Sequence, residues 1–186
     1  MRVEIKKIAK DLKIALPDLI TRPVGRKMYE RVKKQLSVIH EDEVVLLDFE
    51  GIKVVDSSFI DEFLLRLIMD SRSSNPAFFI KLQSISDAIE INCESVFSSF
   101  RRLSEDRVAV ITDRIIGNNS VYLGSLSKPE RDIIDYLRVN KTVRVPEIAH
   151  YIGKSEPESE ELAEVLLALR LIRRQKDGGN FCYASL

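Results

Sequence analysis

The 186-residue sequence predicts an α/β domain of layered sheet and helices, followed by a smaller domain that mixes helices with short strands. Three observations predict it. The run VVLLDFE, residues 44–50, is almost unbroken in apolar character and of strand length, which suggests a central strand covered on both faces. Just after it, at Ser57 and Ser58, the hydrophobic period changes from two to about 3.6, the mark of a strand giving way to a helix. Beyond residue 126 the pattern becomes three short amphipathic helices and a glycine-centred hairpin signal.

In chain order, RVEIKKIA alternates as a first strand does. Thr21-Arg22-Pro23 opens a helix, with Pro23 as its first or second residue because proline suits the first turn and lacks only an N–H that would be unpaired there. Met28, Val32, Leu36 and Ile39 form its apolar stripe, while Arg22, Arg26, Lys27, Arg31, Lys33 and Lys34 point elsewhere, which makes it a basic amphipathic helix. After VVLLDFE, Gly51 turns the chain and residues 53–55 extend briefly. Ile60, Phe63, Leu64, Leu67 and Ile68 then share one helical face, ended by Asn75-Pro76. FFIKL returns as a strand, and SISDAIEINCESVFSSF follows as a helix with Ile85, Ile89, Val96, Phe97 and Phe100 along one side. Strands alternating with helices imply a layered α/β domain over residues 1–104.

RVAVITDRI and SVYLGSL read as two strands joined through Gly117-Asn118-Asn119, a hairpin-like connector over residues 105–126. Ser127-Lys128-Pro129-Glu130 is a capping box that starts a helix with Ile133, Ile134 and Leu137 inward. A second helix covers Val145 to Ile152 and is closed by Gly153. A third runs from Ser155 to Leu171, with Leu162, Val165, Leu166 and Leu169 inward. Two short strands around Asp177-Gly178-Gly179 end the chain. Three helices and a terminal hairpin over residues 127–186 make a winged helix-turn-helix pattern.

Composition narrows the function. Lysine plus arginine and aspartate plus glutamate number 29 each, so no global field attracts nucleic acid or a membrane surface, and any such contact must come from a local patch. The two cysteines, Cys93 and Cys182, lack any metal or disulfide pattern and read as small buried hydrophobes in a reducing cytoplasm. Charges interrupt the first twenty residues, which excludes a signal peptide's apolar core, and no run approaches membrane-spanning length. His40 and His150 are isolated, without the spacing of a metal site, and GRKMYER lacks the glycines and the lysine-hydroxyl pair of a phosphate loop. Gly25 with Arg22 and Arg26 at a helix start suits an anion, or equally a helix whose alkyl stems cover apolar surface. No enzyme signature, cofactor motif or metal set emerges.

The segments LITRPVGRKMYERV and VVLLDFEGIKVVDSSFIDEFL resemble the STAS domain of anti-sigma-factor antagonists, and more closely the STAS-like family of unassigned function. The resemblance implies a STAS-like layered sheet-and-helix domain and a protein partner of the anti-sigma-factor or kinase kind. In the antagonists the hydroxyl that a partner kinase phosphorylates is the second serine of an Asp-Ser-Ser-Gly stretch, which falls here on Ser58. Phe59 stands where the antagonists have glycine and where the STAS-like relatives have phenylalanine.

Two readings of Asp56-Ser57-Ser58 stay open. In one, Ser58 is an N-cap completed by Asp61 three residues on, worth about 1 kcal/mol, and needs no function. In the other, Ser57 and Ser58 present hydroxyls at a docking surface formed with Asp56, Phe59, Asp61 and Glu62, and added negative charge there weakens a complex. As adjacent residues on a helix, Asp61 and Glu62 point about 100° apart and read as a cap and a solvated charge, not as a catalytic pair.

The winged-helix pattern raises DNA binding. Its third helix, the usual reader, carries Glu156, Glu158, Glu160, Glu161 and Glu164, which repel phosphate. Arg170, Arg173, Arg174 and Lys176 form a basic cluster at the helix end and wing. Over residues 127–186 ten cations meet ten acids, so the basic excess of a DNA reader is missing. The sequence therefore predicts a non-catalytic cytoplasmic regulatory protein, with the winged helix serving protein contact or homo-oligomerisation. The alternative is a DNA-binding transcription regulator with a STAS-like sensor.

Overall fold

A computed structural model describes residues 1–104, 106–117, 119–177 and 180–186. The chain divides into two units, Met1–Ile116 with Ser120–Ser125, and Leu126–Leu186 with Gly117–Asn119.

The N-terminal unit is built on a five-stranded sheet of order β1-β3-β5-β6-β7. Its strands are β1 (Arg2–Glu4), β3 (Val44–Asp48), β5 (Phe79–Gln83), β6 (Ala109–Ile116) and β7 (Asn119–Gly124). The first four run parallel, with Leu46 opposite both Arg2 and Lys81, and Lys81 opposite Ile111. β7 follows β6 after two residues, a connection short enough only for an antiparallel neighbour. The parallel strands are laid down in one direction, and parallel crossovers are right-handed, so the intervening helices fall on one face of the sheet. These are α1 (Ile5–Asp11), α2 (Arg22–Gln35), α3 (Ser57–Ile60), α4 (Arg66–Ser73) and α5 (Asp87–Ser104). A π-helical turn, Asp61–Leu65, joins α3 to α4, and a two-stranded parallel pair, β2 (Asp18–Leu19) with β4 (Val54–Val55), braces the entries to α2 and α3.

β3 is interior, as its apolar run predicts. Val45 and Leu47 are fully buried on one face, whereas on the other Val44 and Leu46 are half-buried and Asp48 is buried. The N-terminal segment departs from expectation: the strand stops at Glu4, because Ile5, Ile8 and Ala9 have helical spacing and all three are buried on one face of α1. Nor does the sheet end near Leu103. The pair expected as a connector supplies β6 and β7, and Val108, Val110 and Leu123 belong to the same core as the central strand. Met28, Val32, Leu36 and Ile39 are buried as their stripe requires, and so is the apolar face from Ile60 to Ile68.

The C-terminal unit holds α6 (Lys128–Asn140), α7 (Val145–Ile152) and α8 (Glu156–Ala168), with a three-stranded sheet of order β8-β10-β9. β8 is Thr142–Val143, β9 Arg173–Asp177 and β10 Asn180–Ala184, and β10 pairs antiparallel with both neighbours. Each helix starts on a local signal. The Ser127, Arg144 and Ser155 amides donate to Glu130, Glu147 and Glu158, three residues on, at 2.6, 2.8 and 3.1 Å. Gly153, at φ 67°, closes α7 in the left-handed conformation that a residue without a Cβ adopts freely. Val165 departs from expectation: it is exposed, and the inward face of α8 is Ser159, Ala163 and Leu166. Ser159 fits there because its hydroxyl donates back to the Ser155 carbonyl at 2.8 Å. Asn118, Gly178 and Gly179, central to the two predicted turns, lie outside the described residues.

Candidate functional site

Two helix starts meet in the N-terminal unit. Thr21 precedes α2 at φ 79°, a region that a β-branched residue avoids and that typically costs about 1–3 kcal/mol. It is held there by Asp56: the Thr21 N–H donates to Asp56 Oδ2 at 3.1 Å, and the Phe59 N–H donates to Asp56 Oδ1 at 2.7 Å. Asp56 is thus the N-cap of α3 and a tie between two helix entries. This corrects the reading of Ser58 as cap. The cap lies two residues earlier, at Asp56, the helix begins at Ser57, and Asp56 already satisfies the amide of its third residue. Ser57 is exposed and Ser58 half-buried in the first turn.

One turn further, Glu62 is 4% exposed, and three guanidinium groups surround its carboxylate. Arg66 Nη2 lies 2.8 Å from Oε2, Arg22 Nη1 3.0 Å from Oε1 and Arg26 Nη2 3.3 Å from Oε1. Arg22 Nη1 also reaches Asp61 Oδ2 at 2.6 Å. Asp61 and Glu62 are therefore not a cap and a solvated charge. The wider i→i+5 turn of the π-helical segment narrows the angle between neighbouring side chains, so one guanidinium serves both. Gly25 makes the approach feasible, since a Cβ there would sit 3.0 Å from both Glu62 Cβ and the Phe59 carbonyl oxygen.

The electrostatics follow. Hydrogen bonding from Arg26, helped by Arg22 and Arg66, outweighs burial and holds the Glu62 carboxyl below the usual carboxylate range. Hydrogen bonds to Asp61 and Glu62 raise Arg22 above its usual value. A carboxylate so held stays ionised and, with its three guanidinium partners, fixes the geometry between α2 and the turn after α3. Beside it Tyr29 donates to Asp70 at 2.7 Å and accepts from Lys33 at 2.8 Å, with Arg66 over its ring.

A groove of about 400 Å³ runs across this corner. Ser57, Ser58, Arg22 and Asp61 line one wall, and Ser95, Val96, Ser99, Phe100 and Leu103 of α5 line the other. A second recess of about 470 Å³, which reaches Glu62, Arg66 and Tyr29, shares Arg22, Asp61, Leu65 and Phe100 with it. Ser57, Ser58 and Asp61 thus face one groove, and Glu62 lines the adjoining recess from a buried position. Phe59 offers a partner nothing: it is 1% exposed and packs on Phe63 at 5.1 Å between ring centroids. Residue-by-residue reasoning missed Arg66 and the α5 wall. The i, i+4 spacing of Glu62 and Arg66 signalled the first, and no local pattern signals the second.

In the C-terminal unit the basic residues are partly spent. Arg174 is ion-paired with Glu164 and lies over the rings of Phe181 and Tyr183, and the Tyr183 hydroxyl donates to the same carboxylate at 2.6 Å. Lys176 Nζ sits 5.6 Å from the Phe181 ring centroid. Arg170 lies just past the end of α8 at φ 59°, and Arg173 opens β9. The Glu158 carboxyl is pulled down to about 2 by the hydroxyl and amide of Ser155 and by Lys154. His40 and His150 are exposed, and among the described residues no group of three metal-ligating side chains comes together. Cys93 and Cys182 are buried free thiols, and burial pushes Cys93 up to about 12. Among the described residues no helix is long and apolar enough to cross a membrane.

Residues 24–89 match the family model described as a STAS-like domain of unknown function, and the mixed sheet-and-helix architecture of the N-terminal unit is consistent with that family. The matched segment spans Gly25, Arg26, Asp56 to Glu62 and Arg66, and begins just after Arg22. No curated protein matches the chain.

Proposed function

We propose that this chain is a non-catalytic regulatory protein whose STAS-like module docks a protein partner at the groove beside Ser57, Ser58 and Asp61. Its C-terminal winged helix serves protein contact or dimerisation. The observation that carries the reading is the pairing of two reachable serines with an open groove, whose far wall sets Val96, Phe100 and Leu103 beside Ser95 and Ser99, next to an ion cluster in which three guanidinium groups hold the Glu62 carboxylate. Leu103 on the α5 wall is 87% exposed, which suits a surface covered by a partner. Negative charge placed on Ser58 competes with Asp61 for Arg22 and alters the charged wall without breaking the cap, which belongs to Asp56. A DNA-reading role for the C-terminal unit draws less support, because Arg174 is neutralised by Glu164 and the third helix presents carboxylates.

The test is quantitative capture of native-lysate protein on the immobilised full chain, comparing wild type, Ser58→Asp and Leu103→Glu. Both variants are expected to keep the wild-type melting temperature within about 2 °C, as surface changes do, and to capture at least about tenfold less of the specific partner. Equal capture by all three removes the groove from the reading.

A further inference from the structure

The most strongly charged surface of the N-terminal unit is the solvent face of α2. From Arg22 to Gln35 the helix carries six cations and a single acid, Glu30. Arg22 and Arg26 turn toward Glu62, while Lys27, Arg31 and Lys34 are exposed and make no ion pair among the described residues. Beside this face an open groove of about 620 Å³ runs between the end of α1 and α2. Leu12 and Pro23 are its apolar lining, and Arg22, Arg26, Lys27 and Arg31, with the one acid Glu30, supply the charge.

Helix α8 is the converse. It carries five glutamates and no cation. Glu158 is engaged in its cap and Glu164 with Arg174, which leaves Glu156, Glu160 and Glu161 exposed. Glu161, Val165 and Ala168 follow the i, i+4, i+7 spacing of one helix face, and Val165 is 38% exposed. The helix therefore shows a small apolar ridge flanked by carboxylates, the form of a helix that lies in a groove.

We propose that the groove beside α2 of one copy docks α8 of a second copy of this chain, with Val165 over Leu12 and Pro23, and Glu160 and Glu161 against Lys27 and Arg31. The chain as a whole carries no net charge, so these opposed patches are a segregation of charge within one sequence, and the complement of each is present at equal concentration. This inference rests on the reading of the C-terminal unit as a protein-contact module and names its partner.

Sedimentation equilibrium of the full chain at low and high salt tests it. At low salt the wild type associates beyond its 21.3 kDa monomer, and salt dissociates it because the contacts are surface charges. Lys27→Glu/Arg31→Glu and Glu160→Lys/Glu161→Lys each weaken self-association at least about tenfold, and an equimolar mixture of the two variants recovers it. All four side chains are exposed, so the fold survives, and Val165→Glu gives an independent loss through the apolar ridge. A wild type that stays monomeric at low salt overturns the proposal, as does a mixture that recovers nothing. So does binding of a short DNA duplex that Lys27→Glu/Arg31→Glu abolishes while the chain is monomeric, since α2 then serves nucleic acid. Capture of a foreign protein by the C-terminal unit of a monomeric chain ends the self-docking inference and leaves the protein-contact reading standing.

Discussion

The two units use their polar side chains over different distances along the chain. In the C-terminal unit the three helix starts are satisfied within themselves, by the Ser127–Glu130, Arg144–Glu147 and Ser155–Glu158 pairs. In the N-terminal unit the contacts that tie the start of α2 to α3 and the turn after it join residues far apart: Asp56 reaches Thr21 across 35 positions, and Glu62 reaches Arg26 across 36 and Arg22 across 40. A local pair stabilises one helix and is replaceable by solvent. A distant pair fixes how two elements meet, so its loss is felt by the whole unit.

The largest effect is expected at Gly25, where the distant contacts depend on backbone approach. Gly25→Leu forces a side chain against Glu62 Cβ and the Phe59 carbonyl, each 3.0 Å from the position of its Cβ, and should cost about 3 kcal/mol in denaturant unfolding. A cost below about 0.5 kcal/mol would break the comparison, because α2 and α3 would then be held apart by more than the structure shows.

Next comes the start of α3. Asp56→Ala removes the cap and the tie to Thr21 together and should cost about 1–2 kcal/mol, whereas Ser58→Ala should stay within about 0.5 kcal/mol. Equal costs would return the cap to the serine and make this start as local as those of the C-terminal unit.

The smallest effect is on pH dependence in the C-terminal unit. The Glu158 carboxyl lies at about 2 in the folded chain against an ordinary 4.5. A lowered folded value means that its contribution is fully present above the unfolded value and is lost as pH falls from 4.5 toward 2. Glu158→Gln should flatten acid unfolding in that window, read by circular dichroism, and leave stability at neutral pH lower only by the charged part of the cap.

The legibility of each unit follows the same division. Pro23 at the start of α2, the burial of Met28 and Val32, the switch to a helix after β3 and all three C-terminal helix starts rest on residues within one or two turns of each other, and the sequence showed them. Two faces were misplaced where neighbours decide. The residues after Glu4 alternate well enough for a strand, yet Ile5, Ile8 and Ala9 find a common face only as a helix on the core. Val165 has the spacing of a buried residue, but Ser159 and Ala163 occupy that side of α8 because small side chains let the neighbouring elements close in. At the candidate site Ser57, Ser58 and Asp61 were visible as a motif, whereas the capping role of Asp56 and the burial of Phe59 and Glu62 were not.

By itself the sequence determined the alternation of strand and helix, the apolar central strand, the capped helices of the second unit and the segregation of basic charge on α2 from acidic charge on α8, since each is written in spacings of three or four residues. Only the tertiary structure decided that β6 and β7 complete the first sheet, that Glu62 is an ion-pair hub, and that the serines open onto a groove walled by α5. The physical reason is that a carboxylate's solvation depends on what packs over it. For Glu62 that is an arginine-bearing helix more than thirty residues away, admitted by the missing side chain of Gly25.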